Sequence, residues 1–205
     1  MLNTEYWNNE GVQKVFTHSI CSEWLACLSR DASILDLGCG YGRLTPELEK
    51  EGFNTLFGYD FSAPLIERAI RENPGSQYTS NVDELKGKYF DLILCFALFT
   101  SCPSSGEQSN LVSLINSLTK EKAFLYISDY EIADNPGYNE RYEQRELNTY
   151  GCFKSGTAIF RHHDADHFDN LLLDWRRIKE KTLNSKTLNG NEIKIHQYLY
   201  TKGMG

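Results

Sequence analysis

The chain has 205 residues, enough for one well-packed domain and too few for two. Hydrophobic residues make up 40% and charged residues 24%, which excludes a disordered chain. Net charge is −7, and the densest basic spots are Arg176-Arg177 and Lys179 with Lys181, so no cationic face for nucleic acid is expected.

The first residues, Met1 to Glu5, carry neither the basic start nor the apolar stretch of a signal peptide, and no apolar run is long enough to span a membrane. A cytoplasmic protein without a membrane partner is expected. Residues 10–29 place Val12, Val15, Phe16, Ile20, Trp24, Leu25 and Leu28 at helical spacing, which predicts a helix. Asp31 and Ser33 lead into a short apolar strand, Ile34 to Leu37, followed by a glycine-rich turn and a polar helix that Gly52 stops near Glu51.

The alternation repeats. A strand over 54–60 precedes a helix that Ser62 can cap, with Pro64 in its first turn. A short strand near 77–81 leads to the apolar run 89–99, which reads as a strand buried on both faces. Leu111, Leu114, Ile115 and Leu118 predict a helix over 106–118, and the next strand covers 122–130. Strands alternating with helices predict a parallel, doubly wound α/β sheet, because parallel neighbours need crossover connections.

Residues 131–158 break this rhythm and are long for a connector inside a compact domain, which marks a lid or binding loop. A helix near 166–173 follows. Two β-like stretches, 176–183 and 192–200, flank Asn189-Gly190, a turn signal that predicts an antiparallel hairpin at one sheet edge. The six cysteines form no Cys-x-x-Cys pair and read as reduced, mostly buried thiols.

The most informative run is Ile34-Leu35-Asp36-Leu37-Gly38-Cys39-Gly40-Tyr41-Gly42-Arg43. Alternate glycines after a buried strand let the backbone approach a ligand, and the following helix points free N–H groups at the same crevice. A nicotinamide-binding turn would place its third glycine one residue later. The second element is Phe57-Gly58-Tyr59-Asp60-Phe61-Ser62, where a carboxylate closing the second strand can accept both hydroxyls of a ribose. Helix capping is the alternative role for Asp60 and Ser62.

Asp-x-Gly-x-Gly-x-Gly after a hydrophobic strand, with an acid closing the next one, resembles the class I S-adenosylmethionine-dependent methyltransferases over residues 34–130. That resemblance implies a single domain over 1–205. It also implies a seven-stranded, mostly parallel sheet with the antiparallel edge hairpin, an N-terminal helical cover over 1–30 and a substrate lid over 131–165. S-adenosylmethionine is the implied cofactor. Its implied ligands are Asp36, Gly38, Cys39, Gly40, Gly42 and Arg43 at the turn, and Asp60 with Phe61 at the ribose. Asn81 and Val82 are implied near the adenine, Cys95 and Phe96 after the fourth strand, and Tyr6 as part of the cover.

Asn81 stands where many relatives have an acid, and Thr119-Lys120-Glu121-Lys122 replaces their Lys-Pro-Gly-Gly turn. Asp91 reads as a structural residue. Cys95-Phe96-Ala97-Leu98-Phe99 lacks the Asn/Asp-Pro-Pro-Tyr motif of enzymes that methylate base amino groups or glutamine amides, and the Lys-Asp-Lys-Glu set of ribose methyltransferases is not evident either. A small-molecule acceptor is therefore expected. The competing readings are an RNA or protein methyltransferase, a catalytically silent accessory protein, and another dinucleotide-binding enzyme.

Methyl transfer is an in-line displacement that depends chiefly on positioning, with a general base where the nucleophile carries a proton. His162 and His163, before the helix near 166, and Asp129, at the end of the fifth strand, are the candidate catalytic groups. Trp7, His18, Phe99, Tyr130 and Arg161 are candidate acceptor contacts. His163 and His167 lie four apart and, with Asp164 and Asp166, offer a metal-ligand spacing if helical. Capping aspartates beside surface histidines is the plainer account, and no metal is expected.

Overall fold

The computed structural model describes residues 2–15, 17–186 and 192–203. In chain order its main elements are α1 (Thr4–Asn8), β1 (Ser33–Leu37), α2 (Thr45–Lys50), β2 (Thr55–Tyr59), α3 (Ala63–Glu72), β3 (Gln77–Thr79) and β4 (Phe90–Phe96). There follow α4 (Ser105–Ser117), β5 (Thr119–Tyr130), α5 (Pro136–Glu143), β6 (Cys152–Ser155), β7 (Ala158–Arg161), α6 (His167–Leu171), β8 (Trp175–Lys186) and β9 (Glu192–Lys202).

Seven strands form one sheet in the order β3-β2-β1-β4-β5-β9-β8. The first five run parallel. β9 lies antiparallel between β5 and β8, so the edge hairpin read from sequence is present. Its turn signal, Asn189-Gly190, lies outside the described residues. β1 and β4 sit mid-sheet with helices on both faces, which explains their nearly unbroken apolar sequences: Leu35, Leu92, Ile93 and Leu94 are fully buried. Asp91 holds the start of this centre, its Oδ2 accepting from Ser33 N at 2.8 Å and from Lys120 Nζ at 2.7 Å.

Local signals place the crossover helices. α4 opens on a capping box between Ser104 and Glu107. α3 has Pro64 in its first turn. Ser62 stands at the α3 N-cap, but its hydroxyl donates instead to Trp7 O at 3.2 Å.

The N-terminal segment departs from the expected helix over 10–29. It forms α1, two short 3-10 turns over Gly11–Gln13 and Ser22–Cys27, and a strap over 17–21 that is neither helix nor strand. Tertiary anchors override the helical spacing. Cys21 N donates to Tyr126 Oη, Gln197 Nε2 donates to Ser19 O, and Arg68 Nη1 donates to Val12 O while its guanidinium stacks on Tyr41. Val15, counted toward the apolar face, is 65% exposed. Phe16 lies outside the described residues.

The insertion over 131–165 is a small packed layer rather than a bare loop. Helix α5 and the β6–β7 hairpin enclose Tyr138, Tyr142 and Phe153 together with Tyr130 and with Ile193 and Ile195 of β9.

Candidate functional site

The glycine turn follows β1 at the carboxyl end of the parallel strands, where open α/β sheets leave a crevice. Gly38, Gly40 and Gly42 have φ of +80°, +54° and +74°, the left-handed region that disfavours a side chain. The N–H groups of Gly38 and Cys39 both donate to Tyr59 O, locking the turn to β2. α2 begins only at Thr45, after a further turn. A Cβ on Gly42 would lie 2.5 Å from Tyr78 Oη, so packing against β3 by itself already favours a glycine here.

Asp60 bridges the turn to α3. Its Oδ2 accepts Gly40 N at 3.0 Å and its Oδ1 accepts Ser62 N at 2.9 Å. Burial pushes its carboxyl up to about 6, although both backbone N–H groups pull the other way.

A cavity of about 270 Å³ opens above these residues. Gly38, Gly40, Asp60 and Phe61 form its floor, Trp7 of α1 and Leu65 of α3 stand on one side, and Phe96, Ala97 and Leu98 after β4 on another. Glu107, Asn110, Leu111 and Leu114 of α4 complete the wall. Their spacing, i, i+3, i+4 and i+7, is one helix face, a signal present in the sequence, where Leu111 and Leu114 served only to predict the helix. Ala97 holds φ +53° where this cavity meets a smaller one.

The smaller cavity, about 30 Å³, is lined by His18, Asp36, Gly38, Cys39, Arg43, Leu44, Phe96 and Ala97. Burial pushes the Asp36 carboxyl up to about 7, with the Arg43 guanidinium opposing. Arg43 also pairs with Glu47 at 3.0 Å. Burial pulls the His18 imidazole down to about 4. Among the described residues, Asp36 Oδ2 and His18 Nε2 are buried without a hydrogen-bond partner.

Several candidates fall elsewhere. Tyr6 packs behind Trp7, edge-on to it and to Phe160, so Trp7 rather than Tyr6 faces the cavity. Asn81 and Val82 are exposed and outside both cavity walls, and Asn81 Oδ1 caps a short turn through Asp83 N. Cys95 is fully buried in the sheet core because it points away from the crevice that Phe96 faces. Phe99 is also core, against Phe168.

The proposed catalytic groups do not reach either cavity wall. His162 is buried in the insertion's aromatic layer. Its Nδ1 lies 2.7 Å from Tyr142 Oη, and burial pulls its ring down to about 3. His163 is buried beside the end of β5. Its Nε2 is 2.8 Å from the Gln108 amide, whose Oε1 meets His167 Nε2 at 2.7 Å. Asp129 accepts Thr100 N and Tyr130 N and lies 3.8 Å from His163 Nδ1.

His162 and His163 are thus structural rather than surface histidines, and Asp166 makes no side-chain cap. Tyr130 packs between His18 and His162. Arg161 ends β7 with a buried Nε and lines neither cavity. Among the described residues, no group of three or more His, Cys, Asp or Glu side chains is placed to hold a metal ion. No helix among them is long and apolar enough to cross a membrane.

A family model described as a methyltransferase domain matches residues 12–181. A ribosomal protein L11 methyltransferase from Methylobacillus flagellatus is 30% identical over 82 residues, which cover 38% of this chain and 28% of that protein. One from Paraburkholderia phymatum is 41% identical over 54 residues, 26% of this chain and 18% of that protein. The chain therefore spans less than a third of the length of these curated relatives.

Among solved structures, a SAM-dependent methyltransferase from Methanosarcina mazei superposes with a TM-score of 0.80 at 22% identity, over 93% of this chain and 100% of that one. Magnesium protoporphyrin IX methyltransferase from Synechocystis, with bound SAH, gives 0.70 at 14% identity over 98% and 97%. These two likenesses establish a shared fold.

Proposed function

The chain belongs to the class I S-adenosylmethionine-dependent methyltransferase family, and on that premise we propose that it transfers a methyl group to a small-molecule nucleophile. The observation that carries this reading is the cavity in which the glycine turn, Asp60 and four aromatic residues, Trp7, Tyr59, Phe61 and Phe96, meet. The orphaned Asp36 Oδ2 beside Arg43 fits the charged amino-acid end of the same cofactor. Bound S-adenosylmethionine supplies a methyl carbon activated by its sulfonium.

The residues of this chain then bind, orient and exclude water. Asp60 offers its carboxylate to the ribose hydroxyls while keeping the turn in place. Phe61 and Trp7 give flat walls for the base, and the α4 face closes its edge. Arg43 faces the carboxylate of the amino-acid end. Trp7 lines the larger cavity and His18 of the N-terminal strap the smaller one, buried rings that help keep water out. In this reading His162, His163 and Asp129 support packing rather than remove protons, since each is buried and lines neither cavity.

A small acceptor is supported by the acidic balance of −7, which offers no cationic face for nucleic acid. Incubation with methyl-labelled cofactor and a cell extract tests it: label is expected in a small-molecule product that separates from the cofactor itself by chromatography. A protein acceptor is the second reading, favoured by the partial similarity to the two ribosomal protein L11 methyltransferases. Label retained with protein, and no labelled small molecule besides the cofactor, would replace the first reading by the second.

A further inference from the structure

The N-terminal strap contributes His18 to the small cavity, and a hydrogen-bond chain fixes which ring nitrogen faces it. Cys21 N donates to Tyr126 Oη, which donates to Gln197 Oε1 at 2.8 Å. The Gln197 amide in turn donates to Ser19 O at 2.6 Å and Ser128 Oγ at 3.4 Å. His18 Nδ1 lies 3.2 Å from Ser128 O and 3.0 Å from Ser128 Oγ. A carbonyl oxygen only accepts, so Nδ1 carries the hydrogen and Nε2 keeps a bare lone pair.

That lone pair has no partner among the described residues, and neither has Asp36 Oδ2 in the wall of the same cavity. Two buried acceptors without donors mark a place where something must donate. The space, about 30 Å³, is the size of one water or one ammonium group. Arg43, a cation with donors only, stands in the same wall. Two acceptors and one cation in the same wall are the complementary partners an α-amino acid needs: acceptors for its ammonium, donors for its carboxylate.

We propose that His18 Nε2 and Asp36 together receive the α-ammonium of the cofactor's amino-acid end, so that the N-terminal strap is part of the cofactor site and is fastened by that ammonium. This assigns His18 to the cofactor rather than to the acceptor, and it rests on the cofactor reading above. Burial keeps the His18 ring neutral near pH 7, as an acceptor must be. Thr17 turns the other way, its Oγ1 donating to Lys186 O at 3.0 Å, so fastening the strap at His18 also braces it against β8.

Calorimetry with two ligands tests the inference. S-adenosylhomocysteine carries the amino-acid end; methylthioadenosine is the same nucleoside thioether without it. His18→Ala is expected to weaken the first about 10- to 100-fold, the range for a hydrogen bond to a charged group, and to leave the second unchanged. Equal loss of both ligands, or no loss of either, overturns the inference while leaving the cofactor reading standing. Wild-type protein that binds neither ligand overturns the cofactor reading itself. Nitrogen-15 spectra of the wild-type His18 ring give an independent check without any variant: hydrogen on Nδ1 is expected, and hydrogen on Nε2 would overturn the assignment.

Discussion

The Asp60 carboxylate accepts the Gly40 N–H at 3.0 Å, so the acid that closes β2 also holds the middle glycine of the turn after β1. Its other oxygen takes Ser62 N and starts α3. One side chain therefore couples three parts of the crevice. Asp60→Ala is expected to weaken S-adenosylhomocysteine about 10- to 100-fold, because it removes hydrogen bonds from a charged acceptor. It also strands two N–H groups, at a cost of roughly 1–3 kcal/mol each where they stay dry. Calorimetry and urea unfolding read the two effects separately, and unchanged affinity would remove Asp60 from the site.

The parts of this molecule that were legible are those in which one short stretch does the whole job. The run from Ile34 to Arg43 contains its own strand, its own turn and the acid that ends in the small cavity. The sheet could be read because buried parallel strands are apolar throughout and short crossovers leave few topologies. The strap could not, since Val12 to Leu28 fits a helical spacing and only the distant Tyr126, Gln197 and Ser128 hold it away from a helix.

The burial of the histidines was hidden for the same reason. Nothing near His162 announces that Tyr138, Tyr142 and Phe153 will enclose it. Asn81 sits at the expected point in the sequence, yet its side chain accepts Asp83 N, and the cavity edge is built by α4, whose distance in sequence hides it.

Gly42 makes the packing role of the turn testable. A methyl group there would meet Tyr78 Oη at 2.5 Å and the ring carbon Cζ at 2.8 Å, with φ at +74°. The left-handed conformation alone costs an L-residue roughly 1–2 kcal/mol, and the collision adds to it. Gly42→Ala is expected to lower the urea midpoint clearly, and a midpoint within error of the wild type would show that β3 yields to the extra carbon.

His162 separates a structural from a catalytic role through pH. Its folded-state value is about 3 against an ordinary 6.5, because burial penalises the charged ring. Between those values the unfolded chain binds a proton that the folded one refuses, so this contribution to stability is full above about 6.5 and is lost as pH falls. The raised carboxylates of Asp36, Asp60 and Asp129 act in the opposite sense, but they are common to both proteins compared.

His162→Gln keeps an acceptor for the Tyr142 hydroxyl and removes the titration. From pH 7 to pH 5 the wild type is expected to lose roughly 1–2 kcal/mol more than the variant in urea unfolding, at about 1.4 kcal/mol per pH unit below the ordinary value. Affinity for S-adenosylhomocysteine should not change. Parallel pH curves would remove the buried neutral ring as a determinant of acid stability.

Asp36 supplies the last test, in the proton balance of binding. Burial holds its carboxyl up to about 7, with Arg43 lowering it and Asp60 and Glu47 raising it. An ammonium seated against it favours the charged form, so the value falls on binding and a proton is released where the free protein still holds one. The sign follows: affinity for S-adenosylhomocysteine should rise with pH up to about 7 and then level off, by at most roughly tenfold per unit. His18, near 4, does not titrate in that window. Asp60, near 6, does, so Asp36→Asn should reduce the dependence without abolishing it. Calorimetry at pH 6.5 in two buffers of different ionisation enthalpy counts the protons directly. Release in the wild type that is undiminished in Asp36→Asn would place the ammonium away from this carboxylate.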